Sequence, residues 1–290
     1  MLFKHIAIVG VGLIGGSFAL AVRRAGVCER ITGWDSQEVL DQAMARGVID
    51  GVELAFESGE TSDADLVYLA APVGAIVNFL RTRSRSLKPG AIVSDAGSTK
   101  RDICRIAHKA LPREVIFIGG HPMAGSERAG VEFADADLFR GAAYALIPGD
   151  DASPEAVRPM VDAVTSIGAK PISLTAEQHD RIAARISHSP QLLSTALALA
   201  VGRTSDAQAL SLAGSGVLDM TRLAESRWSV WEDICRTNSD EITSALDDTI
   251  AQMEAVRSAI SSGDFSSAGD MFTAAGESAR LLRESKRSAG

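Results

Sequence analysis

A strand-like apolar run, His5–Val9, breaks at once into Gly10-Val11-Gly12-Leu13-Ile14-Gly15-Gly16-Ser17 and continues as a helical pattern to Arg24. A G-x-G-x-x-G turn set between a buried strand and a helix leaves few architectures open. The first glycine permits a tight turn, the second lets backbone approach a pyrophosphate, and the third lets the helix lie close to the strand. The phosphates then meet the helix N-terminus. On its own the motif is weak. Its support is the next strand, Arg30–Trp34, which ends on Asp35, 20 residues after Gly15. A carboxylate there can accept from an adenosine ribose 2′-hydroxyl and repel a 2′-phosphate. No arginine follows at Ser36 or Gln37, so NAD is expected over NADP. The plainer alternative for Asp35 is a turn or cap ahead of the helix Gln37–Arg46.

Short apolar runs and helical stretches then alternate: strand Asp65–Ala70, helix Gly74–Leu87, strand Ala91–Ser94, helix Lys100–Leu111, strand Val115–Ile118, strand Ala143–Ile147, helix Pro154–Ile167 and strand Pro171–Leu174. This alternation specifies an α/β fold, a Rossmann-type doubly wound parallel sheet, whose ligands bind beyond the carboxyl ends of the strands. Four stretches fall on that edge: the glycine loop, Ala70–Pro72, Asp95–Thr99 and Gly119–Glu127. Gly10, Gly12, Leu13, Ile14, Gly15 and Asp35, with Ala71 and Pro72 beyond the neighbouring strand, are the expected cofactor contacts. Ser98 or Thr99 reads by default as a helix cap, although a hydroxyl at this edge can also reach a cofactor or an imidazole. In the last stretch Pro122 fixes its own φ and biases His121 towards extended backbone, which places the imidazole on a stiff turn, as a general base is mounted. A histidine satisfied inside that turn is the alternative on this stretch alone.

From Thr175 the pattern changes. Thr175-Ala176-Glu177-Gln178 has the form of a capping box, and the chain beyond it reads as helix, which divides the protein into a nucleotide-binding domain, residues 1–174, and an all-α domain, residues 175–290. The helical stretch to Arg203 is interrupted at Pro190, with His188 and Gln191 three residues apart on one face of the break. Trp231, Ile234, Ile242, Leu246, Ile250, Met253 and Ile260 recur at helical spacing and predict another long helix. These apolar faces are more than a monomeric bundle covers, so a homodimer through the helical domain is expected.

At 290 residues the chain is long enough for about two domains. A net charge of −8 with no basic stripe argues against nucleic acid as a partner. Cys28, Cys104 and Cys235 lack any C-x-x-C spacing, so neither a disulfide framework nor a metal site is expected. The strand pattern begins within a few residues of Met1, and the most apolar run, Leu192–Val201, is short and carries Ser194 and Thr195. A soluble, cytoplasmic protein without leader or membrane segment is expected.

Five stretches together resemble the prephenate and arogenate dehydrogenases of tyrosine biosynthesis: GVGLIGGS at Gly10–Ser17, DAGSTK at Asp95–Lys100, HPMAGSERAG at His121–Gly130, SHSPQ at Ser187–Gln191 and DMTRLAESRWSVWEDI at Asp219–Ile234. The resemblance covers nearly the whole chain. It implies a nucleotide-binding domain followed by a helical dimerisation domain, and NAD-dependent oxidation of a cyclohexadienol, prephenate or arogenate, with loss of carbon dioxide. His121 matches the family's catalytic histidine, and Ser98 a serine that hydrogen-bonds this histidine or the substrate hydroxyl. Arg222 matches an arginine that meets a substrate carboxylate, His188 a histidine of the substrate pocket, and Glu127 an acidic residue near its entrance. Gln191 stands where many prephenate-using relatives have a second histidine. Its amide both donates and accepts, so it could face the ketone of prephenate or the ammonium of arogenate. Prephenate is the leading expectation, with no regulatory domain or mutase appended to the helical domain.

Plainer readings stand beside these. Arg222 could pair on the surface with Asp219 or Glu225, His188 could be a core histidine, and Trp34, Trp228 and Trp231 read as core or interface aromatics. A β-hydroxyacid dehydrogenase or imine reductase shares the two-domain plan, but its lysine on the first long helix of the second domain has no counterpart between Gln178 and Arg203. A non-catalytic NAD-sensing dimer gives no reason for His121, Ser98 and Arg222 to coexist.

Overall fold

A strand that is apolar on both faces must be covered on both, and the first strands of this chain are of that kind. The computed structural model describes residues 1–125, 128–149, 152–203, 208 and 211–288. In it β1 (Phe3–Val9), β2 (Cys28–Trp34), β3 (Gly51–Val52), β4 (Leu66–Leu69), β5 (Ile92–Asp95), β6 (Ile116–Pro122), β7 (Ala143–Pro148) and β8 (Lys170–Ser173) form one sheet in the order β3-β2-β1-β4-β5-β6-β7-β8. Helices α1 (Leu13–Arg24), α2 (Gln37–Ala45), α3 (Ala55–Ser58), α4 (Val73–Arg83), α5 (Arg101–Ala110) and α6 (Pro154–Ser166) lie between the strands. On β4, Tyr68 stacks on Phe18 of α1 with ring centroids 3.9 Å apart. Val67 and Leu69 join the other apolar cluster, with Phe79 of α4.

Two features of the sheet differ from the sequence expectation. The sheet is parallel except that β7 runs antiparallel to β6. The connection over 123–142 contains only a short 3₁₀ turn, Val131–Phe133, and without a crossover helix the chain returns antiparallel. Because β7 supplies a ladder, β6 continues past Ile118 through Pro122, and His121 pairs with Ala145 inside the strand rather than sitting on a turn. Pro122 has no N–H to donate and occupies the strand end, where that loss is tolerated.

After β8 the described chain is helical. Gln178 N donates to Thr175 Oγ1 at 3.2 Å and Thr175 N donates to Gln178 Oε1 at 3.0 Å, the expected capping box, which opens α7 (Ala176–Ala183). The break expected at Pro190 comes earlier, as a π-helical turn over Ala184–His188. Pro190 follows it in α8 (Ser189–Gly202), so the widened turn stands just where a proline removes an N–H from the helical ladder. Beyond α9 (Ser215–Thr221) and a 3₁₀ turn, Arg222–Glu225, the single helix expected from Trp231 to Ile260 is two. α10 (Trp228–Thr237) stops at Asn238, whose buried amide donates to Asp180 O at 2.9 Å and accepts from Arg101 Nη2 at 2.9 Å. Asn238 is the C-cap, where the backbone leaves helical geometry (φ −135°, ψ 28°), and its amide ties this end to α7 and α5.

The chain forms two compact units, Met1–Asn238 and Ser239–Gly290. The second contains α11 (Ser239–Ser262) and α12 (Phe265–Ser288), which pack on each other and expose Ile250, Met253, Phe272 and Leu281. Among the described residues no helix is long and apolar enough to cross a membrane.

Candidate active site

Gly10 follows β1 with φ +86°, and a Cβ there would lie 2.7 Å from Ala70 O. At Gly15 a Cβ would lie 1.9 Å from Gly10 O, so both glycines are required by the turn and by the close approach of α1. Gly12 is different: a Cβ there meets nothing within 4 Å. Its smallness serves no packing within the protein and leaves room for a pyrophosphate against the backbone. α1 has no side-chain cap, so its first-turn N–H groups, at Leu13 and Ile14 among others, face that room unspent. Asp35, at the end of β2, accepts from Val11 N at 2.8 Å and from Ser36 N at 2.7 Å. Its carboxylate therefore holds the glycine loop, a task outside the expected ribose contact. Ala71 and Pro72 follow Ala70, whose carbonyl abuts Gly10. This cradle fits a dinucleotide.

Across the sheet, β5 ends on Asp95, which forms an ion pair with Lys100, both side chains being fully buried. Asp95 Oδ1 accepts from Gly120 N at 3.1 Å, Asp95 Oδ2 accepts from Gly97 N at 2.8 Å, and Lys100 Nζ donates to Gly120 O at 2.7 Å. Where the β5–β6 ladder stops, this pair holds both backbone groups of the residue before His121. A Cβ at Gly120 would lie 2.4 Å from Asp95 O, so only glycine permits the approach.

His121 Nδ1 lies 2.9 Å from His179 Nε2 on α7, and His179 Nδ1 lies 2.8 Å from Asp180 Oδ1. Asp180 also accepts from Lys100 N at 2.7 Å and from Arg101 N at 2.9 Å, capping α5 from a distant element. Neither Ser98 nor Thr99 is the cap. The Thr99 hydroxyl instead meets that of Thr237 at 2.7 Å. Ser98 is half-buried and makes no hydrogen bond among the described residues; of the two partners expected for it, His121 or the substrate hydroxyl, His121 is bonded through Nδ1 to His179 instead. Burial first, then the nearby His179, Lys100 and His188, hold the His121 pKa well below the ordinary histidine value of 6.5, which leaves the ring neutral near pH 7.

The π-helical turn ends on His188, which is buried with its ring edge-on to Trp231 at 5.9 Å. Its Nδ1 accepts from Asn238 Nδ2 at 3.3 Å, while Nε2 has no partner, and burial lowers its pKa to about 4. Gln191, buried on α8, donates to Leu223 O at 2.6 Å and accepts from Ser226 Oγ at 3.2 Å. Both ends of its amide thus hold the turn that carries Arg222, with one N–H and one lone pair left over. Arg222 itself is exposed. Glu127 lies outside the described residues. At the N-terminus of α4, Gly74 N donates to Asp233 Oδ2 of α10 at 2.7 Å, a second cap supplied by the helical segment.

The structure therefore joins His121 and His188 through residues that sequence patterns did not single out: His179, Asp180, Asn238, and the buried pair Asp95 and Lys100. A signal was present in part. His179-Asp180 sets an imidazole beside a carboxylate directly after the capping box, and Asp95 and Lys100 bracket a strand-to-helix turn containing Gly97.

Glycine cradle, strand-end imidazole and parallel sheet together define an NAD-dependent dehydrogenase. The family model for the prephenate dehydrogenase nucleotide-binding domain matches residues 18–173, and that for the prephenate dehydrogenase dimerization domain matches residues 175–273. The chain belongs to the prephenate dehydrogenase family. It is 34% identical over 263 residues to the prephenate dehydrogenase of Bacillus subtilis, a match spanning 89% of this chain and 71% of that protein. Identity to the cyclohexadienyl dehydrogenase of Zymomonas mobilis is 32% over 266 residues, 90% of each chain. The crystal structure of prephenate dehydrogenase from A. aeolicus in complex with hydroxyphenyl propionate and NAD+ matches with a TM-score of 0.90 at 26% identity, covering 96% of this chain and 98% of that one. Synechocystis arogenate dehydrogenase matches with a TM-score of 0.83 at 27% identity, covering 96% and 100%.

Proposed function

We propose that the protein oxidatively decarboxylates prephenate to 4-hydroxyphenylpyruvate, with residues 1–174 holding NAD and residues 175–290 supplying substrate contacts and the dimer interface. The observation that carries this reading is His121: a neutral imidazole, fixed at a strand end on the ligand edge of the sheet and anchored through one ring nitrogen. Bound NAD supplies the hydride acceptor for ring carbon 4 of the substrate. As that hydride leaves, the hydroxyl on the same carbon loses its proton to His121, a transfer suited to a base that is neutral at the working pH. Loss of carbon dioxide from ring carbon 1 restores aromaticity, and the imidazolium returns its proton to the phenolate oxygen. Ser98, on the turn after β5 with its hydroxyl uncommitted, serves to orient the substrate hydroxyl. Arg222 meets a substrate carboxylate, for which its planar fork is suited, and Gln191 holds the Arg222 turn in place. His188 Nε2 is a buried nitrogen without a partner, the kind of atom a substrate or an ordered water satisfies.

Arogenate is the second reading, and a specific observation keeps it: Gln191 gives one N–H to Leu223 and accepts once from Ser226, which leaves one N–H for a ketone and one lone pair for an ammonium. Initial rates of NADH formation with prephenate and arogenate, each with NAD and NADP, test both readings. Turnover with NAD is expected, and His121→Asn is expected to lower it at least ~100-fold with NAD binding intact. Near-normal turnover in that variant removes His121 as the base.

A further inference from the structure

We propose that His179 and Asp180 act as positioning residues that fix His121 in its Nδ1–H tautomer, so that Nε2 is the nitrogen that takes the substrate proton. The inference rests on the reading of His121 as the base and deepens it by naming the atom. An ionised carboxylate only accepts hydrogen bonds. Asp180 is ionised: burial opposes this, but hydrogen bonds from His179, Arg101 and Lys100 outweigh it and hold its pKa below the ordinary value of 3.8. His179 Nδ1, 2.8 Å from Asp180 Oδ1, therefore carries the hydrogen. A ring that carries its one hydrogen there presents a lone pair at Nε2, which lies 2.9 Å from His121 Nδ1. His121 must then donate from Nδ1, which leaves Nε2 unprotonated. Among the described residues no donor occupies it.

The same geometry serves the charged state. When the substrate O–H bond breaks and an Nε2–H bond forms, the resulting imidazolium still donates from Nδ1 to His179, whose far side rests on a carboxylate. This is the logic of a hydroxyl–histidine–aspartate triad, with a second imidazole inserted between base and acid. The groups facing His121 are His179 on α7, Lys100 ahead of α5 and His188 on the π-helical turn. Of these only His179 is hydrogen-bonded to the ring. Neither imidazole of the pair is marked by spacing: 58 residues separate them.

The ¹⁵N spectrum of the full chain, labelled at histidine and assigned with His121→Asn, reads the tautomer directly. A pyridine-type Nε2 and a pyrrole-type Nδ1 are expected for His121. His179→Phe should abolish that pattern and lower kcat at least ~10-fold, with KM for NAD and for the dienol unchanged. His179→Gln, whose Oε1 can accept from Nδ1, should restore part of both. A pyrrole-type Nε2 at His121 in the wild-type chain overturns the proposal, as does a folded His179→Phe variant with unaltered kcat and unaltered His121 signals. Should His179→Phe fail to fold, the wild-type spectrum decides alone. A wild-type chain that oxidises neither dienol contradicts the proposed function, while its spectrum still decides the tautomer.

Discussion

A histidine buried without a charge partner refuses a proton that the unfolded chain accepts, and stability then depends on pH. His188 has its pKa lowered to about 4 by burial, against an ordinary 6.5. Between these values the unfolded state binds the proton and the folded state does not, so stability rises with pH across that window and is lost as pH falls through it. From pH 7 to pH 5 the loss from His188 amounts to about 2 kcal/mol, and His121 adds to it with the same sign. Urea unfolding at the two pH values should show this decline in the wild-type chain. In His188→Gln the decline should shrink by about 2 kcal/mol, and an unchanged decline would contradict the assignment. At this scale the sequence showed the reactive side chains better than their partners. His121 stands out because glycines and Pro122 mark its strand end. Asp180 and Asn238 do not stand out, since their roles arise from hydrogen bonds to Lys100, Arg101 and each other across long separations. Gln191 was visible as an unusual residue, but its use in holding Leu223 depends on a turn that only folding brings near.

The glycines between β1 and α1 share one motif and do different work, which makes the element testable by parts. Gly15→Ala places a methyl group on the Gly10 carbonyl and should destabilise the fold by about 1–3 kcal/mol. Gly12→Ala meets no protein atom, so its melting temperature should stay near that of the wild type while NAD affinity falls at least ~10-fold by calorimetric titration. Equal affinity in Gly12→Ala would remove the loop from the cofactor site. Alternating apolar strands and helices made most of the sheet readable, because strands buried on both faces carry a continuous apolar signal. The reversal of β7 is carried by its connection and not by the strand's own residues: no helix is expected between Ile118 and Ala143, and the parallel sheet expected there needs one. The same holds for the helix that ends at Asn238: its apolar spacing continues unbroken into α11, and the interruption is one non-helical residue whose buried amide bonds Asp180 and Arg101, far away in sequence.

On the scale of the whole molecule, the second unit leaves Ile250, Met253, Phe272 and Leu281 more than half exposed, on helices whose residues up to 273 match a family dimerization domain. Sedimentation velocity should give a species of twice the chain mass. Phe272→Glu should shift it towards the monomer, whereas a wild-type monomer at micromolar concentration would contradict a dimer through these helices. The π-helical turn at Ala184–His188 has a consequence of another kind. It contains one residue more than an α-helix would use to make the same turn. The bulge absorbs that extra residue, so α7 and α8 keep the relative phase of one continuous helix across it. His179 before the bulge therefore meets His121 and Gln191 after it meets Leu223, while the extra residue is taken up in the turn that ends on His188. A one-residue alignment gap in this stretch between two members of the family would therefore mark the loss of the widened turn that carries His188, with the helices on either side left in phase.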